Sequence, residues 1–398
     1  MGSTLNFLPP LEPELNARIK VVGLGGAGGN AVDRMILTGL SKVEFIVVNT
    51  DAQALDRNRA PIRIQIGRQL TKGLGAGANP EIGRQAAEQD EDQLREAMKG
   101  GDLIFITAGL GGGTGTGAAP KAAEIARELG ALTVAIVTKP FTFEGRRRMS
   151  VADAGLKELR DRVDTLIVIP NQRLLSIVDA KTSLLKAFEV ADSVLTHATR
   201  GISDLIAIPG IVNLDFADVR SIMQGGGDAL MGVGVAVGED RGAKAASQAI
   251  SSPLLEDVSI QGAQGVLVNI TGASEMTLHE VDQAVSVVTQ AAGENANVIF
   301  GAVLDDNVGE EIHVTVIATG FRNGNGKIPL SIAPEKNTDF RPTRKPLDLE
   351  IPTVTRREIE SREPKHEVNR IHLGEVDLDG APPDLALPAF LRRNGGGR

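Results

Sequence analysis

Leu103-Ile104-Phe105-Ile106-Thr107-Ala108 runs directly into Gly109-Leu110-Gly111-Gly112-Gly113-Thr114-Gly115-Thr116-Gly117, and the reading of this stretch decides the fold. The first six residues carry apolar side chains at almost every position, as a strand covered on both faces does. Six glycines and two threonines follow, and a helical pattern then runs over 117–129. A flexible linker is a poor explanation for glycines held between a strand and a helix. A turn whose backbone approaches an anion closely, with the helix N-terminus behind it, is a better one.

The same arrangement occurs upstream. The strand pattern at 19–24 leads into Gly23-Leu24-Gly25-Gly26-Ala27-Gly28-Gly29-Asn30, which contains Gly-x-Gly-x-x-Gly. Alone this motif is weak: dinucleotide, flavin and mononucleotide sites all use it, and Asp51 stands where an NAD ribose ligand would. Two such turns favour a longer phosphate chain, because a dinucleotide has one pyrophosphate to hold. No Gly-x4-Gly-Lys-Ser/Thr occurs, so a triphosphate here would be held by amides and a metal rather than by a P-loop lysine.

Between and beyond these turns, apolar runs at 43–49, 132–137 and 166–169 alternate with helical segments such as 79–99. This predicts a parallel, doubly wound α/β sheet with its ligand at the carboxyl ends of the strands. Leu184, Phe188, Ala191, Leu195, Ala198, Ile202 and Leu205 form one stripe at alternating spacings of 4 and 3, predicting a long helix over 183–206 packed between two bodies. An α+β module follows, with strands at 233–237, 265–270, 298–303 and 312–318 and helices at 216–223, 242–250 and 278–292.

The expected organisation is a flexible segment at 1–17, a nucleotide domain at 18–182, the central helix at 183–208 and the α+β domain at 209–321. Residues 322–398 hold nine of the nineteen prolines and lose apolar periodicity, which predicts a disordered linker over 322–383. The apolar cluster Asp384-Leu385-Ala386-Leu387-Pro388-Ala389-Phe390-Leu391-Arg392-Arg393, within 384–398, then reads as a docking peptide.

Composition narrows the chemistry. Zero cysteines exclude disulfides and thiol catalysis, and five scattered histidines make a histidine metal cluster a poor expectation. A net charge of −9 argues against a general nucleic-acid binder. The opening residues lack a basic start and an apolar run, and no apolar segment is long enough to span a bilayer, so a soluble cytoplasmic protein without membrane insertion is expected.

The loop Gly111–Gly117 resembles the signature loop of the tubulin superfamily, and the chain as a whole is similar to its FtsZ family of bacterial cell-division GTPases. The resemblance includes Asn49-Thr50-Asp51-Ala52-Gln53-Ala54-Leu55, Thr71-Lys72-Gly73-Leu74-Gly75-Ala76-Gly77-Ala78-Asn79-Pro80, Thr138-Lys139-Pro140-Phe141-Thr142-Phe143-Glu144-Gly145, Ile169-Pro170-Asn171 and Asn213-Leu214-Asp215-Phe216-Ala217-Asp218. It implies that Gly25, Gly26, Ala27, Gly28, Gly29 and Asn30, with Gly111, Gly112, Gly113, Thr114, Gly115, Thr116 and Gly117, hold the phosphates of GTP or GDP. Ala76 and Gly77 would lie by the γ-phosphate, and Glu144 and Arg148 by the ribose and nearby phosphate. Asn171, Phe188 and Asp192 would form the guanine pocket, Phe188 stacking and Asp192 accepting from the base. The pattern alone favours core packing for Phe188 and a solvated face for Asp192. Glu189 and Val190 stand where relatives commonly have small residues.

Asn213, Asp215 and Asp218 would complete the active site of a neighbouring subunit and polarise the attacking water, with Mg²⁺ held mainly through phosphates and water. Read from the residues alone, Asp215 is a helix cap and Asp218 a favourable first-turn acid. The implied function is a GTPase that assembles head-to-tail into filaments of the division ring at mid-cell. Its 384–393 peptide would dock on membrane-tethering partners such as FtsA or ZipA. The competing readings are an NAD or flavin oxidoreductase, resting on Gly23–Gly28 and Asp51, and a non-catalytic tubulin-like scaffold.

Overall fold

Five of the predicted strands lie side by side in one parallel sheet. The computed structural model describes residues 17–176, 178–179, 181–208, 210, 212, 214–255 and 259–321. Asn213, most of the N-terminal segment, the linker and the docking peptide lie outside the described residues. The strands are β1 (Ile19–Leu24), β2 (Val43–Asn49), β3 (Ile62–Gln65), β4 (Leu103–Gly109), β5 (Leu132–Lys139), β6 (Thr165–Pro170), β7 (Gly227–Ala236), β8 (Gly265–Gly272), β9 (Asn297–Leu304) and β10 (Ile312–Thr319). They form one ten-stranded sheet in the order β3-β2-β1-β4-β5-β6-β7-β10-β8-β9.

From β3 to β6 every pairing is parallel, with helices on both faces. Alternate side chains feed two cores: Val21, Phe105 and Ile136 join one, and Val22, Ile106 and Val137 the other. The parallel β6–β7 seam spans three residue pairs only, and beyond it the sheet turns antiparallel at β7–β10–β8. There the alternation continues, Ile317 joining the core that includes the central helix while Val316 and Ala318 pack in the outer core. Both faces of this α+β sheet are therefore covered.

The central helix, Leu184–Ala207, has 24 residues and so spans about 36 Å. Ser183 Oγ caps its start by accepting from the Lys186 N–H. At its far end the Ala207 carbonyl accepts from Lys42 Nζ at 2.7 Å, next to the amino end of β2. The apolar stripe is buried from Ala191 onward, but Leu184, Leu185 and Phe188 in the first turns are exposed.

Other departures have local causes. The single helix expected over 79–99 is two, Pro80–Gln89 and Glu91–Met98, interrupted at Asp90, whose carboxylate turns away to accept from the Gly67 N–H at 2.7 Å. β3 has only four residues, Ile-Arg-Ile-Gln, whose alternation suits an edge strand. The helix Arg146–Arg160 was masked in sequence by its charge.

Close packing between helices depends on absent side chains. A Cβ on Gly117 would stand 1.9 Å from the Pro80 carbonyl oxygen, and one on Gly83 would stand 2.4 Å from the Gly113 carbonyl oxygen. Gly117→Ala and Gly83→Ala are expected to destabilise the fold by about 1–3 kcal/mol each through overpacking. The midpoint of urea unfolding measures this, and an unchanged midpoint would contradict the packing argument.

Candidate nucleotide site

β1 and β4 are neighbours at the point where the strand order reverses, since β1 has β2 on its other side and β4 has β5. Such a switch point leaves a crevice at the carboxyl ends of the strands. Both glycine turns open into it. Helix Gly25–Leu37 follows β1 with no intervening loop, and helix Thr114–Glu128 follows β4 after four residues. Six of the eight residues over 23–30 and four of the nine over 109–117 are thus helix rather than loop. Neither helix start has a side-chain cap, and neither has an acid in its first turn. Their first amides remain available to an anion, and the helix dipoles favour one.

Most glycines here serve backbone contact. A Cβ on Gly28 would lie 2.5 Å from the Thr107 carbonyl oxygen, and one on Gly109 would lie 2.6 Å from the Ala27 Cβ. Gly25 adopts φ of 71°, with its Cβ position 2.8 Å from the Gly115 nitrogen. The two turns are thus packed against each other. Gly26 and Gly112 differ: a Cβ on either would meet nothing within 4 Å. They face open space, one in each turn.

A cleft of about 480 Å³ opens over the second turn, lined by Gly77, Ala78, Gly111, Gly112, Gly113, Glu144, Arg147, Arg148 and Val151. Ala78, Arg147 and Val151 were not anticipated from sequence. Ala76 is buried, its Cβ only 2.8 Å from the Cβ position of Gly113, so it supports the turn while Gly77 and Ala78 line the cleft. The threonine hydroxyls have internal partners. Thr116 Oγ1 accepts from the Gly111 N–H at 2.9 Å, and Thr114 Oγ1 lies 2.6 Å from Thr50 Oγ1. Thr71 Oγ1 donates to the Thr50 carbonyl at 3.2 Å, which ties the Thr71–Gly77 loop through Thr50 and Thr114 to the second turn.

The turn Thr142–Glu144 separates this cleft from a second group. The Glu144 carboxylate accepts from the Phe141 N–H at 2.9 Å and pairs with Arg148 at 2.9 Å. Gln172 Oε1 accepts from the Thr142 amide and hydroxyl, which brings the start of the helix Asn171–Leu174 against this turn. Asn171 is buried there, and its Oδ1 has no hydrogen-bond partner. Phe188 stands edge-on to Phe141, ring centroids 5.5 Å apart, and is 38% exposed rather than core. One turn further on, burial pushes the Asp192 carboxyl up to about 6, Arg34 opposing the rise and Glu189 adding to it. Arg34 and Glu189 pair at 3.6 Å. An unpartnered amide oxygen, a partly exposed ring and a partly desolvated carboxylate suit a flat base bearing N–H donors.

Asp215 and Asp218 are elsewhere. Asp215 caps the helix Phe216–Met223, its carboxylate accepting from the Asp218 N–H at 2.8 Å, and both acids are exposed. That helix ends with the Met223 carbonyl accepting from Thr165 Oγ1, at the amino end of β6. Neither acid lines the cleft at the carboxyl ends. Asp51 is committed locally as well, capping the helix Ala52–Asp56 through the Gln53 and Ala54 amides. Among the described residues no three acids or histidines gather as a metal cage, and no helix is long and apolar enough to cross a membrane.

Residues 18–179 match the family model described as Tubulin/FtsZ family, GTPase domain, and residues 227–322 match FtsZ family, C-terminal domain. An empty FtsZ dimer from M. jannaschii is 46% identical, covering 76% of this chain and 88% of that one, with a TM-score of 0.74. The chain belongs to the Tubulin/FtsZ family. A mutant FtsZ from M. jannaschii is 45% identical over 77% of this chain and 92% of its own, again with a TM-score of 0.74. CetZ1 from Haloferax volcanii, with GDP bound, shares the fold at 21% identity and a TM-score of 0.68, over 77% of this chain and 95% of that one. The protein is a GTP-hydrolysing enzyme, and the oxidoreductase and non-catalytic readings are set aside.

Two expectations follow from the geometry. Gly26→Ala and Gly112→Ala should leave unfolding stability within about 1 kcal/mol of the parent, because their Cβ atoms meet no protein atom. Each should weaken GDP binding by about tenfold or more, as read by titration calorimetry, by displacing phosphate from the amides. The second concerns pH. The raised Asp192 carboxyl favours the apo fold in its protonated form, a contribution lost as pH rises from about 4 through about 6. Base N–H donors favour the carboxylate, so binding releases a proton. Affinity for GDP should fall as pH is lowered through 6, more steeply in the parent than in Asp192→Asn. Parallel pH profiles would remove Asp192 from base recognition.

Proposed function

We propose that this enzyme is a filament-forming cytoskeletal GTPase whose active site is completed by a second copy of the chain, and that its filaments build the bacterial division ring. The observation that carries this reading is the separation of its two halves. The uncapped glycine turns and the cleft lie at the carboxyl ends of the strands, whereas the helix opened by Asp215 ends at the amino end of β6. Exposed paired acids so placed serve a nucleotide on another molecule better than their own.

In this reading the amides of the two turns hold the phosphates, with Gly77 by the terminal one. Glu144 and Arg148 hold the ribose side, and Asn171, Phe188 and Asp192 hold guanine. Asp215, Asp218 and Asn213 of the next subunit orient and polarise the attacking water. Mg²⁺ would take its ligands mainly from phosphate and water, because the one carboxylate lining the cleft, Glu144, is already paired with Arg148. When bound, it supplies charge neutralisation on the phosphates. Hydrolysis then requires assembly, and a head-to-tail contact that does not close on itself makes a filament. A cytoplasmic site of action at the membrane's inner face follows if the 384–393 peptide docks on tethering proteins such as FtsA or ZipA. A coil of 62 residues over 322–383 would give a reach of roughly 40–47 Å.

Asp215→Ala should retain GTP-dependent assembly, read by light scattering, while phosphate release falls by about 100-fold or more. Mixing it with Gly112→Ala should recover part of the turnover, since one variant keeps its nucleotide turns and the other its acids. Unchanged release in Asp215→Ala, or no recovery on mixing, would overturn a site shared between subunits.

A further inference from the structure

The cleft contains one cation that no described residue neutralises. Arg148 is engaged by Glu144 at 2.9 Å, but Arg147 makes no hydrogen bond or ion pair among the described residues, although it lines the same cleft. The helical turn that carries it is placed by packing. The Arg148 Cγ and carbonyl oxygen each stand 2.8 Å from where a Gly111 Cβ would be, so the first turn of the helix Arg146–Arg160 rests directly on the second glycine turn. That turn begins Arg146-Arg147-Arg148 after Gly145, with no side-chain cap and no acid. Three cations at the positive end of a helix oppose its dipole. The local conflict is relieved when an anion occupies the cleft.

The placement within the cleft selects which anion. Beside Arg147 the cleft is lined by the Gly77–Ala78 and Gly111–Gly113 turns together with the Glu144–Arg148 pair and Val151, and none of Asn171, Phe188 and Asp192 contributes. Arg147 therefore faces the phosphate chain, not the base. Glu144 holds Arg148 towards the turn 142–144, whose other contacts lead to the base side. We propose that Arg147 reads the terminal phosphate and so makes the site favour the triphosphate over the diphosphate. This deepens the nucleotide reading above and rests on it. A planar guanidinium suits that task, since it can donate two parallel bonds to one phosphate.

Full-length protein, kept dilute enough to remain unassembled, tests this by calorimetric titration with GDP and with the non-hydrolysable triphosphate GMPPCP, each with Mg²⁺. Arg147→Ala should weaken GMPPCP by about tenfold or more and leave GDP unchanged. Arg147→Lys, with charge but no fork, should fall between. Arg148→Ala should weaken both. Equal loss of both nucleotides in Arg147→Ala, or loss of neither, overturns the proposal, and so does a defect confined to assembly at higher concentration. Failure of the parent protein to bind either nucleotide would overturn the nucleotide reading itself, a distinct result.

Discussion

The contact on which the site depends is backbone against backbone, where the turn after β1 meets the turn after β4. Gly28 lies against the Thr107 carbonyl, Gly109 against Ala27, and Gly25 against the Gly115 amide, at separations no side chain would permit. These glycines bring two parallel strands together, so that two uncapped helix starts stand side by side at the carboxyl ends of β1 and β4. A phosphate chain can then be held from both sides without a lysine. The same closeness leaves the turns no side-chain caps, so the amides that elsewhere would be satisfied by Ser, Asp or Asn await a ligand. The threonines of the second turn spend their hydroxyls on Gly111 and Thr50, holding the loops rather than filling the cleft.

The central helix carries the consequence to the rest of the molecule. Its first turns stay exposed beside Phe141, while its far end is tied to Thr38 and Lys42 at the amino side of the sheet. It crosses β10 closely, a Cβ on Gly201 coming within 2.8 Å of the Thr315 side chain. A single helix thus presents Phe188 and Asp192 at one end and leads towards the Asp215 segment from the other. The β6–β7 seam adds little to this connection, having three residue pairs and one cross-link, Arg160 to Asp228 at 2.8 Å.

Strands covered on both faces were legible because continuous apolar runs such as Leu103–Gly109 have no competing explanation. β3 was not, because four alternating residues at an edge carry almost no periodic signal. The starts of the glycine-rich helices were also hidden. Glycine disfavours helix by about 1 kcal/mol, so Gly25 and Gly115 read as loop although tertiary contact holds them in or beside helical turns. Phe188 shows the limit of pattern in the other direction. Its spacing places it on the buried stripe, yet the neighbouring body ends before the helix does, and no periodicity records where a partner surface stops. Asp192 lies off the stripe and still loses solvent, because it faces Arg34, which comes from a helix distant in sequence, with Glu189 one turn earlier on its own helix.

The paired acids illustrate a different obstacle. Everything local about Asp215 is explained by capping, and the structure places that cap where the sequence expects it. Capping consumes one oxygen of Asp215 and leaves the second, together with the whole Asp218 carboxylate, exposed on the first turn of a short helix. A carboxylate used only as a cap gains nothing from a second acid three residues on beyond a modest interaction with the dipole. Two acids held at fixed spacing by a cap form a rigid pair, and rigidity is what a group must have if it is to orient water for a phosphate on another molecule. Structural and catalytic roles are therefore not rivals at this position. The cap fixes the spacing of the two acids, and the shared site proposed for them cannot be read within one chain because the glycine turns lie at the opposite, carboxyl ends of the strands.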